Sequence, residues 1–438
     1  MRVGPPAARP VLAIRPLLVP PDLTVQVPGS KSITNRALVC AALARGRSLL
    51  SGALVADDTE AMARCLTQVG AGVHVDPSLS QIEVSGTGGQ LAPGPNELDA
   101  NQSGTTARFL LPVLALGPGP HRLDGDPSLR RRPMGALIDS CRALGIDVEE
   151  EGQPGHLPLV VNGGVGARAP YPLVIRGDVT SQFLSGLMLA GPCLPGGIRL
   201  AVTGPVVSEP YIHMTGAVMA AFGASAHRSG TVTGGLEVSI AQTGYRATDY
   251  AIEPDASSAS YFLAAAAVTG GRVRVTGLGE ASLQGDARFV DVLERMGARV
   301  GRGPGFVEVS GSGPLHGIDV ELGHMPDMAT TVAAVAVFAG SPTRVRGVGV
   351  IRGHETDRVE AMTNELRAAG IDVQEHADGW TVHPGMPRPV RFETYDDHRM
   401  AMSLSLLGLV ADGIQITDPG CVAKTFPNYF ELLGQLRR

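Results

Sequence analysis

Lys31 and Lys424 are the only lysines among the 36 basic residues of this chain; arginine supplies every other position. The abundance of Ala, Gly and Pro suits a coding bias that replaces Lys wherever a guanidinium will serve, so the two survivors are candidates for chemistry. An ammonium is a compact charge with three rotatable donors and can give up a proton when buried, which a guanidinium cannot. Lys31 lies in Pro28-Gly-Ser-Lys-Ser-Ile-Thr-Asn-Arg-Ala-Leu38, where a strand reading Leu23-Thr-Val-Gln-Val27 passes through a Pro-Gly turn into the apolar helix Ala37–Ala44. Ser30 and Ser32 can cap that helix, its first N–H groups have no partner within it, and Lys31 and Arg36 add two positive charges. Capping alone needs only the serines. The combination suits an anion, and phosphate above all.

Composition narrows the field. With 438 residues the chain is too long for one ordinary core, which favours two domains or a repeat array. A net charge of −6, with no basic run beyond Arg130-Arg131-Arg132, argues against nucleic acid as a partner. The five cysteines are odd in number and scattered, as expected of reduced thiols packing as small hydrophobes in a cytoplasmic protein. The N-terminal stretch is broken by Pro and Arg and makes no convincing signal peptide, and no apolar run approaches the ~20 residues of a membrane span.

The elements that must position these residues recur. An amphipathic helix ending in Gly, followed by a strand, a polar turn and a second strand, closes at Gly70, Gly145, Gly223, Gly297 and Gly370, in steps of 75, 78, 74 and 73 residues. A second phrase is interleaved with it: a Ser/Thr/Asp-rich start leading into a helix apolar on nearly every side, at 29–44, 101–116, 178–191, 255–268, 327–340 and 396–411. Such a helix is buried. The rhythm predicts a mixed α/β (α+β) fold of six βαβαββ units, three per domain. The sixth unit lacks its last strands, which Val11–Leu17 can supply. The expected domains are therefore 1–28 plus 253–438 and 29–252, with hinges near 26–29 and 241–253. The polar starts of the buried helices are expected to face an inter-domain cleft, where their partial positive charges add.

Ten ordered stretches, PGSKSITNRAL, SGTTARFL, GDPSLRRRPM, TSQF, SEPYIHMT, EPDASSASYF, PDMATT, HETDR, DDHRMAM and AKTFPNYF, run from Pro28 to Phe430 and carry a resemblance that extends over about residues 22 to 437. In order and spacing they resemble the 5-enolpyruvylshikimate-3-phosphate synthase family of enolpyruvyl transferases. The resemblance implies a two-domain enolpyruvyl transferase fold and a monomer with no metal or organic cofactor. It also implies transfer of the enolpyruvyl group of phosphoenolpyruvate to the 5-hydroxyl of shikimate 3-phosphate, with glyphosate as an inhibitor. It assigns Lys31, Ser32, Arg36, Thr180, Ser181, Gln182, Ser208, Tyr211 and Asp327 to shikimate 3-phosphate. To phosphoenolpyruvate it assigns Lys31, Gly104, Thr105, Arg132, Gln182, Arg358, His398, Arg399 and Lys424. Lys31, Asp327 and Glu355 become the catalytic residues: Asp327 takes the hydroxyl proton, and Glu355 delivers a proton to C3 and later withdraws one.

Bland readings stand beside several of these. Thr180-Ser181 and Asp327 read as helix caps, Arg130–Arg132 as a solvated charge run, and Glu355 as a carboxylate paired with Arg352 and Arg358. The chain also departs from the family pattern: His354 stands where Lys is common, Gln102 for Asn, Thr180 for Ser and Val350 for Asn. These departures bear on affinity more than on the proton carriers. Two other readings are a UDP-N-acetylglucosamine 1-carboxyvinyltransferase and a catalytically silent phosphometabolite-binding protein. The first wants a cysteine near Gly125–Arg130, where there is none. The second has no need of the two carboxylates among so many anions.

Overall fold

A computed structural model of the chain describes residues 9–163, 172–178, 180–204, 206–231 and 235–437. The chain divides into two compact units. One holds the chain through Val27, Ala256–Ala281 and the chain from Asp286 onward; the other holds Pro28–Asp255 with Ser282–Gly285. Of the expected segment 1–28, the first eight residues lie outside the described ones. Ser282–Gly285 groups with the second unit because Ser282 Oγ, the Leu283 N–H and Gln284 Nε2 all donate to Glu253 Oε1, at 3.0, 3.0 and 3.1 Å.

Six small sheets occur among the described residues, and the complete ones share one plan. In the sheet Asn96–Asp99, His121–Asp124, Leu159–Gly163, Asp147–Glu150, the first pair is parallel (Leu98 opposite Leu123) and the rest antiparallel. A parallel pair needs a crossover, and the buried helix Gly104–Leu114 supplies it. The helix Gly135–Ala143 then leads into the closing hairpin. All eleven residues of Gly104–Leu114 are buried, as are Ile33–Leu43 of the helix Lys31–Leu43. A helix enclosed on all sides needs no polar stripe, which is why both sequences read as largely apolar, with Arg36 and Arg108 as buried exceptions. Each unit has its own apolar core, one reaching from Ile33 to Ile252 and the other including Trp380. The five helix-ending glycines all have positive φ, between 79° and 104°.

The ends of the chain complete sheets far from them in sequence. Asp22–Val25 runs parallel to Arg272–Thr276, and Val11–Ile14 runs antiparallel to Ile414–Thr417. Among the described residues the N-terminal segment thus gives the sixth sheet one strand, where a pair was expected, and three strands of that sheet are described. In the first sheet the leading strand is replaced by Tyr245–Arg246 and Tyr250–Ala251, both parallel to Ala44–Ser51. No helix among the described residues is long and apolar enough to cross a membrane.

Candidate active site

In the unit Pro28–Asp255 the polar residues gather at helix starts. Ser30 caps the helix Lys31–Leu43 by accepting the Ile33 N–H at 3.4 Å, while Ser32 lies inside the helix and caps nothing. Asp255 Oδ2 takes the Lys31 N–H at 3.2 Å, and Lys31 Nζ sits 3.2 Å from Asp58 Oδ2. The Asp58 carboxylate is buried, so it holds the ammonium in one place.

One turn on, Arg36 is buried at 2 % exposure and bonded on several sides. Its Nη1 donates to Ser32 O at 2.7 Å, its Nε to Thr215 Oγ1 at 2.8 Å, and its Nη2 to Ser185 Oγ at 3.2 Å and Tyr211 O at 3.4 Å. The guanidinium also lies over the rings of Phe109 and Tyr211, at 5.1 and 5.8 Å. These hydrogen-bond acceptors are all uncharged. Burial therefore pulls the Arg36 pKa down to about 10, against small opposing effects from Tyr211 and Cys40.

Beside this lies a second group. Ser103 caps the helix Gly104–Leu114 by accepting the Thr106 N–H at 3.2 Å. A Cβ on Gly104 would stand 3.2 Å from Arg132 Nη1 and 3.4 Å from Arg108 Nη1, so the glycine lets two guanidinium groups approach the helix start. Arg108 donates to Gln182 Oε1 at 2.6 Å, and Gln182 Nε2 reaches Thr105 Oγ1 at 3.5 Å. Thr180 caps the next helix through the Gln182 N–H at 3.3 Å, and Ser181 is buried as its first residue. Ser208 takes a left-handed φ of 55° before the helix Glu209–Ala221 and makes no side-chain cap. Of the run Arg130–Arg132, Arg130 is exposed and paired with Asp124 at 2.6 Å, Arg131 is exposed, and only Arg132 is buried.

In the other unit, charge concentrates on Arg358, the first residue of the helix Arg358–Ala368. Its Nη1 donates to Asp327 Oδ1 at 3.0 Å, its Nη2 to Glu355 Oε2 at 2.7 Å, and its Nε to Asp397 Oδ2 at 2.7 Å. Burial alone would lower the Arg358 pKa, but Asp397, Glu355 and Asp327 together outweigh it, and the net shift is upward. Arg399 Nη2 holds the other oxygen of Asp327 at 2.8 Å, and Lys424 Nζ lies 3.4 Å from Glu355 Oε1. His354 Nδ1 is 3.0 Å from Arg358 Nη1 and 3.7 Å from Asp327 Oδ1. His398 is buried at the start of the helix His398–Ser405.

Three local expectations need correcting. Asp327 sits in a short turn, Pro326–Met328, and caps no helix, because both its oxygens are taken by arginines. Arg352 does not pair with Glu355; it binds Asp357 at 2.8 Å and Glu375 at 2.7 Å, and Lys424 takes the place foreseen for it. Ser32 leaves the cap to Ser30. The sequence reading also omitted residues that shape both groups: Asp58, Asp255, Arg108, Ser185, Thr215 and Asp397. Arg108 alone had a usable local signal, as a lone charge within an otherwise apolar, wholly buried helix.

Comparison with known proteins gives a consistent result. The family model described as EPSP synthase (3-phosphoshikimate 1-carboxyvinyltransferase) matches residues 22–433. The 3-phosphoshikimate 1-carboxyvinyltransferase of Trichormus variabilis is 45% identical over 428 residues, covering 97% of this chain and 99% of that protein. The protein of the same name from Aeromonas salmonicida is 41% identical over 416 residues, covering 94% and 96%. A solved EPSP synthase structure from Acinetobacter baumannii superposes with a TM-score of 0.81 at 25% identity, covering 97% of this chain and 98% of that one.

Proposed function

This chain belongs to the EPSP synthase (3-phosphoshikimate 1-carboxyvinyltransferase) family, and from that membership we propose that its two polar clusters serve one reaction, with the residue roles given below. The chain is an enzyme of the shikimate pathway, a transferase that moves the 1-carboxyvinyl group of phosphoenolpyruvate to the 5-hydroxyl of shikimate 3-phosphate and releases phosphate. Addition comes first: the hydroxyl oxygen attacks C2, its proton passes to Asp327, and C3 receives a proton from Glu355. Elimination follows: Glu355 withdraws a proton from C3, the C2–phosphate bond breaks, and the proton taken from the hydroxyl leaves with the phosphate.

One observation carries these roles: a single buried guanidinium, Arg358, holds Asp327 and Glu355 on two different nitrogens. The two proton carriers are thereby fixed relative to each other before any substrate arrives. Lys424 lies 3.4 Å from the other oxygen of Glu355, and its charge stabilises the carboxylate that remains once C3 has taken the proton, until Glu355 takes one back in the elimination. Arg399 and His398 join Arg358 and Lys424 as phosphoenolpyruvate ligands on this unit. Lys31, Gly104, Thr105, Arg132 and Gln182 are its ligands on the other. Lys31, Ser32, Arg36, Thr180, Ser181, Gln182, Ser208 and Tyr211 receive shikimate 3-phosphate, with Asp327 at its 5-hydroxyl. The reading calls for no cofactor, takes the enzyme as a cytoplasmic monomer, and makes glyphosate a competitor for the phosphoenolpyruvate position.

The deciding experiment is phosphate release from shikimate 3-phosphate plus phosphoenolpyruvate, expected with the pair and with neither alone. Release with UDP-N-acetylglucosamine in place of shikimate 3-phosphate would point to the other transferase. No release with any pair would leave a binding protein.

A further inference from the structure

The connection between the strand Val390–Phe392 and the helix His398–Ser405 must deliver Asp397, His398 and Arg399 in one register. It does so through the turn Thr394–Asp397, closed by the Asp397 N–H on Thr394 O at 2.9 Å. Both central residues have positive φ, 57° at Tyr395 and 56° at Asp396. That is the pattern of a type I′ turn, which suits Gly, Asn and Asp. Asp396 belongs to the tolerant types. Tyr395 does not, because its Cβ crowds the following carbonyl. A backbone of this kind persists only when its surroundings over-determine it.

The over-determination comes from Glu365. This residue follows Arg358 by seven positions on the helix Arg358–Ala368, two turns along and on the same face. Its Oε2 accepts the Glu393 N–H at 3.0 Å, and its Oε1 accepts the Tyr395 hydroxyl at 2.7 Å. At the far end of the same connection Arg358 grips Asp397, and Asp397 Oδ1 accepts the Arg399 N–H at 2.9 Å. One helix face therefore clamps the connection at its entry and its exit, with the strained turn between. The Glu365 carboxylate is only 7 % exposed and burial raises its pKa, so it is held there against its solvation preference.

We propose that Glu365 and Tyr395 are positioning residues: a carboxylate–phenol latch that keeps an unfavourable turn in place, so that Asp397 and Arg399 face the phosphoenolpyruvate site in register. The inference rests on the assignment of Arg358 and Arg399 to phosphoenolpyruvate.

The test separates latch from strain. Tyr395→Phe keeps the strain and loses the latch, whereas Tyr395→Asn loses the latch together with most of the strain. In Tyr395→Phe the KM for phosphoenolpyruvate is expected to rise about three- to tenfold, as fewer molecules hold the competent turn, with kcat and the KM for shikimate 3-phosphate nearly unchanged. Tyr395→Asn should give the smaller rise, and Glu365→Leu, which removes both acceptors, a rise at least like that of Phe. A rise for Asn equal to or larger than that for Phe, or a Phe variant with lowered melting temperature and unaltered KM, overturns the inference. Arg399→Lys serves as the control. If it leaves the KM for phosphoenolpyruvate unchanged, the site assignment itself fails; if it raises that KM while the Tyr395 pair shows no order, only the latch fails.

Discussion

Asp397→Asn is the perturbation that tests the Arg358 cluster most directly. Asp397 has no exposed surface; it binds Arg358 through Nε at 2.7 Å and Nη2 at 3.2 Å, and it caps the helix His398–Ser405 through the Arg399 N–H. An amide of the same shape retains the cap with its oxygen but turns an NH2 group toward Arg358 Nε. A hydrogen bond to a charged group contributes about 1.5–3 kcal/mol, and breaking one side of a buried pair costs about 3–5. Arg358 still keeps Asp327 and Glu355, which offsets part of that loss. A net loss of about 2–3 kcal/mol follows. In a unit of roughly 200 residues, each kcal/mol moves the midpoint by about 2–4 °C, so the melting temperature should fall by about 4–12 °C.

Scanning calorimetry is the appropriate assay, because each unit has its own core and the transition that moves should be the one of the unit carrying Arg358. In the same variant the KM for phosphoenolpyruvate should rise, since Arg358 loses the partner that fixes its plane. Asp397→Ala should lose about 1 kcal/mol more, because the cap goes too. A midpoint within about 1 °C of wild type, together with an unchanged KM, would refute the idea that this carboxylate organises the cluster.

His354→Lys replaces an acceptor of the Arg358 N–H with a permanent cation near Asp327, whereas imidazole is charged only below about pH 6.5. The KM for phosphoenolpyruvate should therefore fall most above neutral pH, and equal mutant-to-wild-type ratios at pH 6 and pH 8.5 would exclude the effect. Gly104→Ala puts a methyl 3.2 Å from Arg132 Nη1 and 3.4 Å from Arg108 Nη1; the ends of two flexible side chains can yield, so melting should barely move while the KM for phosphoenolpyruvate rises and glyphosate inhibition weakens. Comparing Tm, KM and glyphosate titrations of the two proteins checks all three. Shikimate 3-phosphate alone should raise the melting temperature of wild type, and should do so far less in Arg36→Gln; equal shifts would mean that Arg36 does not sense the ligand.

What the sequence disclosed is what local chemistry decides. Gly70, Gly145, Gly223, Gly297 and Gly370 close helices because the left-handed residue after a helix is a local requirement, and the buried helices declared themselves by carrying apolar residues on every side. The Ser30 cap is local as well. Partnerships across the chain were not legible in the same way. That Asp22–Val25 pairs with Arg272–Thr276, that Asp255 takes the Lys31 N–H from 224 residues away, and that Lys424 rather than Arg352 pairs with Glu355 are all settled by tertiary packing. Asp327 shows the limit from the other side. Its local reading is a helix cap, but its oxygens face two arginines that lie 31 and 72 residues further along.

Arg36 and Arg358, both buried, represent opposite solutions to holding anions. Arg36 donates only to hydroxyls and carbonyls, so its charge stays uncompensated and burial lowers its pKa. Most of its fork is consumed by those bonds, which leaves its field rather than its N–H groups as the main attraction for a phosphate. Arg358 is surrounded by three carboxylates and its pKa is raised. With Arg399 and Lys424 beside Asp327 and Glu355, that cluster is close to neutral before any ligand enters. A cluster that only bound anions would gain nothing from carboxylates that cancel its cations, since each repels the incoming charge. Carboxylates retained at that cost in anion affinity make sense where protons have to move, which is the ground for the proton-carrying roles proposed for Asp327 and Glu355.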